Sequence, residues 1–116
     1  MTKRTRIPRP LSKYGNEPAT ASDGTVLSSK RERNRYEELL LLWKMGKITK
    51  PRRQPRYELI AKQKGERKVE YVADFVYRDI PGDQVHVEDT KGFKTKDYVI
   101  KRKLMLWVHG ITVEEI

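Results

Sequence analysis

An acid in the middle of an otherwise apolar strand is the feature that most narrows what this chain can become. Val72-Ala73-Asp74-Phe75-Val76 is apolar on both faces except at Asp74, which describes a central strand covered on two sides. A carboxylate there needs either a structural partner or a task. Pro81 and Gly82 turn the chain into a second strand that ends in Asp89, Thr90 and Lys91. Strand side chains alternate, so Asp89 and Lys91 share a face, about 6.6 Å apart at about 3.3 Å per residue. Pairing of the two strands as a hairpin brings Asp74 to the same place. Two carboxylates and an ammonium on one sheet face are costly to assemble unless a divalent cation sits between the acids. The stretch from Tyr71 to Gly92 therefore predicts the chemistry of a metal-dependent phosphodiesterase.

Charge narrows the substrate. The 26 Lys and Arg against 16 Asp and Glu leave a formal +10 on 116 residues, which favours a polyanionic partner through counterion release and steering. Nucleic acid is the first candidate and a membrane surface the second. The basic residues do not form an amphipathic basic helix, however, and the longest apolar block, Leu39 to Trp43, falls far short of the roughly 20 residues that span a bilayer. No hydrophobic segment follows the charged N-terminus, so no signal peptide is expected. The absence of cysteine excludes disulfides and thiolate-zinc sites and fits an intracellular protein. The length suits one domain with one core.

Residues 1–26 hold Lys3, Arg4, Arg6 and Arg9, three prolines and few large apolar residues, which predicts a flexible arm, either a solvated tail or a segment that orders on phosphates. The folded domain then covers 27–116. Ser29-Lys30-Arg31-Glu32 matches a capping box, and Tyr36, Leu39, Leu40 and Trp43 make one apolar stripe before Gly46. Glu32 lies one turn ahead of Tyr36 on that stripe and reads either as a cap or as a third carboxylate aimed at Asp74 and Asp89. Glu37 and Glu38 fall off the stripe and read as solvated. Lys50 to Arg53 reads as a basic linker, followed by strands over Gln54–Ile60, Val69–Tyr77 and Gln84–Thr90. A second helix runs from an N-cap at Thr95 to His109, with Ile100, Leu104, Trp107 and Val108 as its buried stripe and Gly110 as its stop. Lys101 and Lys103 flank that stripe, as phosphate contacts or as an ordinary charged rim, and Arg102 is expected to face away. Ile111–Val113 reads as a last strand parallel to the third. Chance alone gives roughly two acid-x-Lys matches in such a composition. The chain has two, at Glu66 and Asp89, and only the second follows a buried strand bearing another acid.

This order of elements, with Glu32 in the first helix, Asp74 on the second strand and Asp89-x-Lys91 on the third, resembles the PD-(D/E)XK nuclease superfamily. Ser29-Lys30-x-Glu32-x-x-Arg35-Tyr36, Gln54-Pro55, Ala73-Asp74-Phe75-Val76-Tyr77 and Glu88-Asp89-x-Lys91-Gly92 further resemble a phage-encoded family of nuclease-like proteins, over about residues 14–116. Ala73 stands where the superfamily has proline, and aspartate replaces the commoner glutamate at 89.

The resemblance implies an α/β fold, a restriction-endonuclease-like αβββαβ core with a mixed sheet flanked by helices. It implies Mg²⁺ or Mn²⁺ held by Asp74 and Asp89, with Glu32 directly or through water and the Thr90 carbonyl as a further ligand. Lys91 would orient the attacking water or neutralise the phosphorane. Gln54, Arg35, Lys101 and Lys103 would be secondary contacts to water or DNA phosphate. Glu88 and His86 face the other way by strand parity. The implied activity is endonucleolytic cleavage of branched or duplex DNA, as in Holliday junction resolvases, inside a bacterial host if the gene is a phage's. Cutting two strands symmetrically would call for a homodimer. The rival expectation is a DNA-binding recombination or replication accessory protein without catalysis.

Overall fold

Both helices begin on a hydroxyl cap. In the computed structural model, which describes residues 17–116, the Ser29 side chain accepts the amide of Glu32 at the start of α1 (Lys30–Lys44), and Thr95 accepts that of Tyr98 at the start of α2 (Lys96–His109). Gly110 closes α2 in the left-handed region at φ 69°, where a residue without Cβ is least strained. No described helix is long and apolar enough to cross a membrane.

Two short strands precede α1. β1 (Ala19–Thr20) pairs antiparallel with β2 (Val26–Leu27), and Ala21 and Leu27 are buried with Tyr36, Leu39 and Leu40. Ser22 donates through both N–H and Oγ to Glu37, and the Tyr36 hydroxyl donates to Asp23. Residues 19–26 therefore belong to the fold, a correction to the boundary of the arm. Side-chain bonds to α1 order a stretch whose composition is too polar to show it. Lys3, Arg4, Arg6 and Arg9 lie outside the described residues.

The remaining strands are β3 (Arg52–Arg53), β4 (Arg56–Ile60), β5 (Val69–Val72), β6 (Phe75–Arg78), β7 (Val85–Asp89) and β8 (Glu114–Glu115). A mixed sheet runs β3-β6-β7-β8, antiparallel except for the parallel pair β7 and β8, while β4 and β5 form a separate antiparallel pair. The protein is thus a mixed α/β fold with two helices. The strand expected over Gln54–Ile60 begins only at Arg56, a gap at 54–55 separating it from β3, and that expected over Val69–Tyr77 is broken at 73–74. The breaks face one another: the Gln54 N–H donates to the Asp74 carbonyl at 2.9 Å and the Ala73 N–H to that of Pro55 at 3.1 Å. Pairing on either side, Arg53 with Phe75 and Arg56 with Val72, keeps one register. A single ribbon therefore bends at the level of Asp74, where Pro55 offers no ladder donor and Gln54 takes a left-handed φ of 53°.

Arg52 and Arg53, read as linker, are the edge strand of the mixed sheet. The last strand falls at Glu114–Glu115, just beyond the expected Ile111–Val113, and is parallel to β7 as expected. Two clusters make the core. One joins α1 to Phe75, Tyr77 and Ile48; the other joins Tyr98 and Met105 of α2 to Leu59, Tyr71, Ala73, Val87 and Val113.

The phase of α2 differs from expectation. Tyr98 and Met105 carry its packing, with Val99 and Leu104 partly covered, whereas Ile100 and Trp107 are 56% and 85% exposed. The helix is turned by roughly the 100° of one residue. Arg102 consequently points toward β8, where it pairs with Glu115 at 2.9 Å, and does not face away.

Candidate active site

The bend in the ribbon presents Asp74. The ladder ends at the Phe75 and Glu88 pair, beyond which the Asp74 N–H donates to the Glu88 carbonyl at 3.0 Å. The charge of Asp74 is felt at Asp89, a like-charge placement that is unfavourable unless something answers it. Asp74 is held from β7: its Oδ2 accepts both the N–H and the Oγ1 of Thr90 at 2.7 Å. Asp89 is 1% exposed. Its Oδ2 accepts the Tyr71 hydroxyl at 2.5 Å, while its Oδ1 is buried with no hydrogen bond among the described residues. The Lys91 Nζ stands 3.3 Å from that oxygen as an ion-pair partner and 5.0 Å from the centre of the Tyr98 ring, a cation-π contact that holds the ammonium over the carboxylate. Lys91 remains about a third exposed.

Glu32 enters from α1 and is 4% exposed. Its amide is capped by Ser29, but its carboxylate does not return to the cap. Oε1 accepts the Ser28 hydroxyl at 2.6 Å and Oε2 lies 3.8 Å from the Arg53 Nη2. Burial pushes the Glu32 carboxyl up, the charge of Asp74 adds to this, and Ser28, Arg53 and Lys91 oppose it. Asp89 is pushed up to about 6, first by burial and then by Asp74, against the pull of Tyr71 and Lys91. Glu32 and Asp89 thus each feel the charges of Asp74 and Lys91.

The secondary residues divide. Gln54 is beside the site through its backbone bond to Asp74. Lys101 and Lys103 lie farther along α2, and among the described residues no bond ties them to the carboxylates. Arg35 is a correction: its Nε and Nη2 donate to the two oxygens of the fully buried Glu88 at 2.7 and 2.6 Å, and its Nη1 donates to Glu38. A guanidinium spent on this fork has no donor pair left for a phosphate. Glu38 and Glu37, read as simply solvated, are bonded to Arg35 and to Ser22. His86 and Glu88 do face away from Asp89; His86 bridges Asp79 and Glu114.

Tyr71, Ser28 and Arg53 went unnoticed in the sequence. Tyr71 leaves no local signal, since its partner lies 18 residues on. Ser28 stands beside a capping serine, and a second hydroxyl there is a signal that could have been used.

Among the described residues, no three His, Asp or Glu side chains stand close enough to form a ready metal shell. That is unsuited to zinc, which needs three or four protein ligands. It is compatible with Mg²⁺, which commonly takes one or two carboxylates and completes its shell with water and substrate phosphate. The Oδ1 of Asp89, buried with no hydrogen bond among the described residues and with only the Lys91 ammonium 3.3 Å away, is the kind of oxygen a hard cation would satisfy.

A protein-family model described as "Protein of unknown function (DUF1064)" matches residues 11–109. No curated protein and no solved structure matches the chain.

Proposed function

Since the chain belongs to the DUF1064 family, we propose, from the geometry of its site, that it is a divalent-metal-dependent DNA endonuclease of the PD-(D/E)XK type, selective for branched DNA in the manner of junction resolvases and acting inside the cell. One observation carries the reading: Asp89 is buried beside a second carboxylate with one oxygen unsatisfied and an ammonium 3.3 Å away. A fold does not keep so unfavourable a carboxylate without compensation. The element order supports it too, because α1, the bent ribbon of β3 to β6, β7, α2 and β8 can be read as the restriction-endonuclease-like αβββαβ core.

Asp74 and Asp89 would hold Mg²⁺ or Mn²⁺, with Glu32 as an outer partner and the Thr90 carbonyl as a further ligand. When bound, such an ion supplies Lewis acidity toward the phosphate and a lower pKa for its water. The chain's own residues do the rest. Thr90 fixes the Asp74 carboxylate through two bonds, Tyr71 fixes that of Asp89, and Tyr98 steadies Lys91. Lys91, partly exposed, offers the positive charge that orients water or neutralises the phosphorane. Gln54, next to Asp74 through its backbone bond, would be a secondary contact to water or phosphate.

A second reading rests on the absence of a ready three-acid shell among the described residues: a DNA-binding accessory protein of recombination or replication. Cleavage of linear, nicked and four-way DNA in Mg²⁺ or Mn²⁺ separates the two. The wild type is expected to cut, and Asp89→Ala and Lys91→Ala to bind DNA while losing at least about a hundredfold in cutting. Activity surviving both changes would dismiss the site. A wild-type protein that binds but never cuts would favour the accessory role.

A further inference from the structure

Arginine carries five N–H donors in a rigid fork, and buried arginines normally spend them on acceptors. Arg53 does not. Its Nε is buried with no hydrogen-bond partner among the described residues, and its Nη2 lies 3.8 Å from Glu32, close enough for charge attraction and too far for a hydrogen bond. The contrast with Arg35, whose Nε and Nη2 both land on Glu88, shows what a satisfied fork looks like in this same protein. The Arg53 side chain as a whole is 29% exposed, while its Nε is buried.

Its position gives that shortfall a meaning. Arg53 pairs with Phe75 on the edge of the mixed sheet and precedes Gln54, whose N–H is bonded to the Asp74 carbonyl. Glu32, which faces Arg53, feels the charges of both Asp74 and Lys91. Two cations therefore flank the carboxylates, Lys91 from just past the end of β7 and Arg53 from β3. Arg31 stands close by, its Nη1 3.8 Å from where a Cβ on Gly92 would lie.

We propose that Arg53 is a substrate-binding residue that takes a DNA phosphate at the site, the phosphate oxygens supplying the acceptors its fork lacks and drawing it off Glu32. The assignment rests on the nuclease reading for the identity of the anion, but it is a statement about binding and can fail separately. Lys91 acts as a point charge, whereas Arg53 can grip two phosphate oxygens at once. A cation held only loosely by Glu32 is free to exchange that partner when substrate arrives.

The test is the salt dependence of DNA binding, measured by fluorescence anisotropy on a four-way junction in EDTA, where no cutting occurs. Each phosphate neutralised contributes about 0.9 to the slope of log K against log salt. Arg53→Gln is expected to lower the slope by about 0.9 and to weaken binding roughly eightfold at 0.1 M salt. Arg53→Lys should restore the slope and recover only part of the affinity, for want of a fork. Arg78→Gln, an exposed arginine already paired with Asp83, serves as the control and should leave the slope unchanged. If Arg53 were only the structural partner of Glu32, Arg53→Gln would lower the melting temperature and leave the slope as it was, which overturns the proposal. Should Arg53→Gln not fold, the double variant with Glu32→Gln removes both charges and gives the same readout. Because binding in EDTA does not depend on cleavage, an inactive wild type would sink the nuclease reading and leave this result standing.

Discussion

Glu88 and Asp89 are neighbours on β7, both buried, and the fold treats them in opposite ways. Glu88, on the α1 side, is 0% exposed and receives a two-point fork from Arg35 together with the hydroxyl of Tyr77. Asp89, on the side of α2, has one hydroxyl on Oδ2, the charge of Asp74 nearby, and an Oδ1 met only by the Lys91 ammonium, off hydrogen-bond geometry among the described residues. The pair shows that this chain can satisfy a buried carboxylate fully and at Asp89 does not. On the proposed reading, the oxygen left incompletely satisfied at Asp89 is the one a divalent cation would take.

The largest effect that would break this contrast comes from Glu88. Removing one partner of a buried pair leaves the other uncompensated, at about 3–5 kcal/mol. Glu88→Ala should therefore lower the melting temperature by on the order of 15 °C, read by circular dichroism, with no pH at which the loss is recovered between 5 and 8. Asp89→Asn should move the other way. Its carboxyl sits at about 6 in the folded protein against 3.8 when unfolded, so the folded state holds that proton more tightly. The penalty is absent below pH 4, where both states are protonated, grows between pH 4 and 6, and is complete above it. Asparagine imitates the neutral acid, and at pH 7.5 the variant should be more stable than wild type by about 3 kcal/mol, the gain disappearing by pH 4. A destabilised Asp89→Asn at pH 7.5 would mean that Asp89 is as well served as Glu88.

A divalent cation should close the gap between the two acids. At a hundred times its dissociation constant, a ligand specific to the folded state adds about 2.7 kcal/mol, so Mn²⁺ in the wild type should raise the melting temperature by about 10 °C. The same addition to Asp89→Asn should do nothing, and at pH 5 the wild-type shift should shrink because Asp89 then holds a proton. An equal shift in both proteins would place the ion elsewhere.

What could be read from sequence follows from how local each cause is. The caps at Ser29 and Thr95 and the stop at Gly110 depend on neighbours within a few residues, and the structure has each of them. Lys91, expected on one strand face with Asp89, lies past the end of β7 with its Nζ 3.3 Å from the Asp89 carboxylate. The phase of α2 does not. Ile100, Leu104, Trp107 and Val108 form as good an apolar stripe as Tyr98 and Met105, and the choice is made by partners far along the chain: Glu115, which takes the Tyr98 hydroxyl and the Arg102 guanidinium, and the apolar side chains of β4, β5 and β7. Arg53 was hidden for a related reason. A two-residue strand before a proline bend has no periodicity to detect, so its arginines read as linker until the pairing with β6 is seen. The approach of Asp74 to Asp89 was legible because it needs only the register of one hairpin. Tyr71, half a ribbon away from Asp89, was not.

That tyrosine offers the finest comparison, because each acid on β7 takes one tyrosine hydroxyl. Tyr77→Phe deletes the bond to Glu88 but leaves the Arg35 fork in place, so the cost should be that of one hydrogen bond within a satisfied network, about 1 kcal/mol. Tyr71→Phe deletes the hydrogen bond to Asp89, whose other oxygen has none. The charged carboxylate is then left with Lys91 alone, and its pKa should rise further. At pH 7.5 the expected cost is about 1.5–3 kcal/mol, falling toward the Tyr77→Phe value as the pH drops below 6 and Asp89 takes up its proton. Denaturant melts at pH 5 and 7.5 read the difference. Two tyrosines whose removal costs the same at both pH values would mean that the two carboxylates, however differently bonded, are held equally well, and the case for a ligand at Asp89 would lose its physical basis.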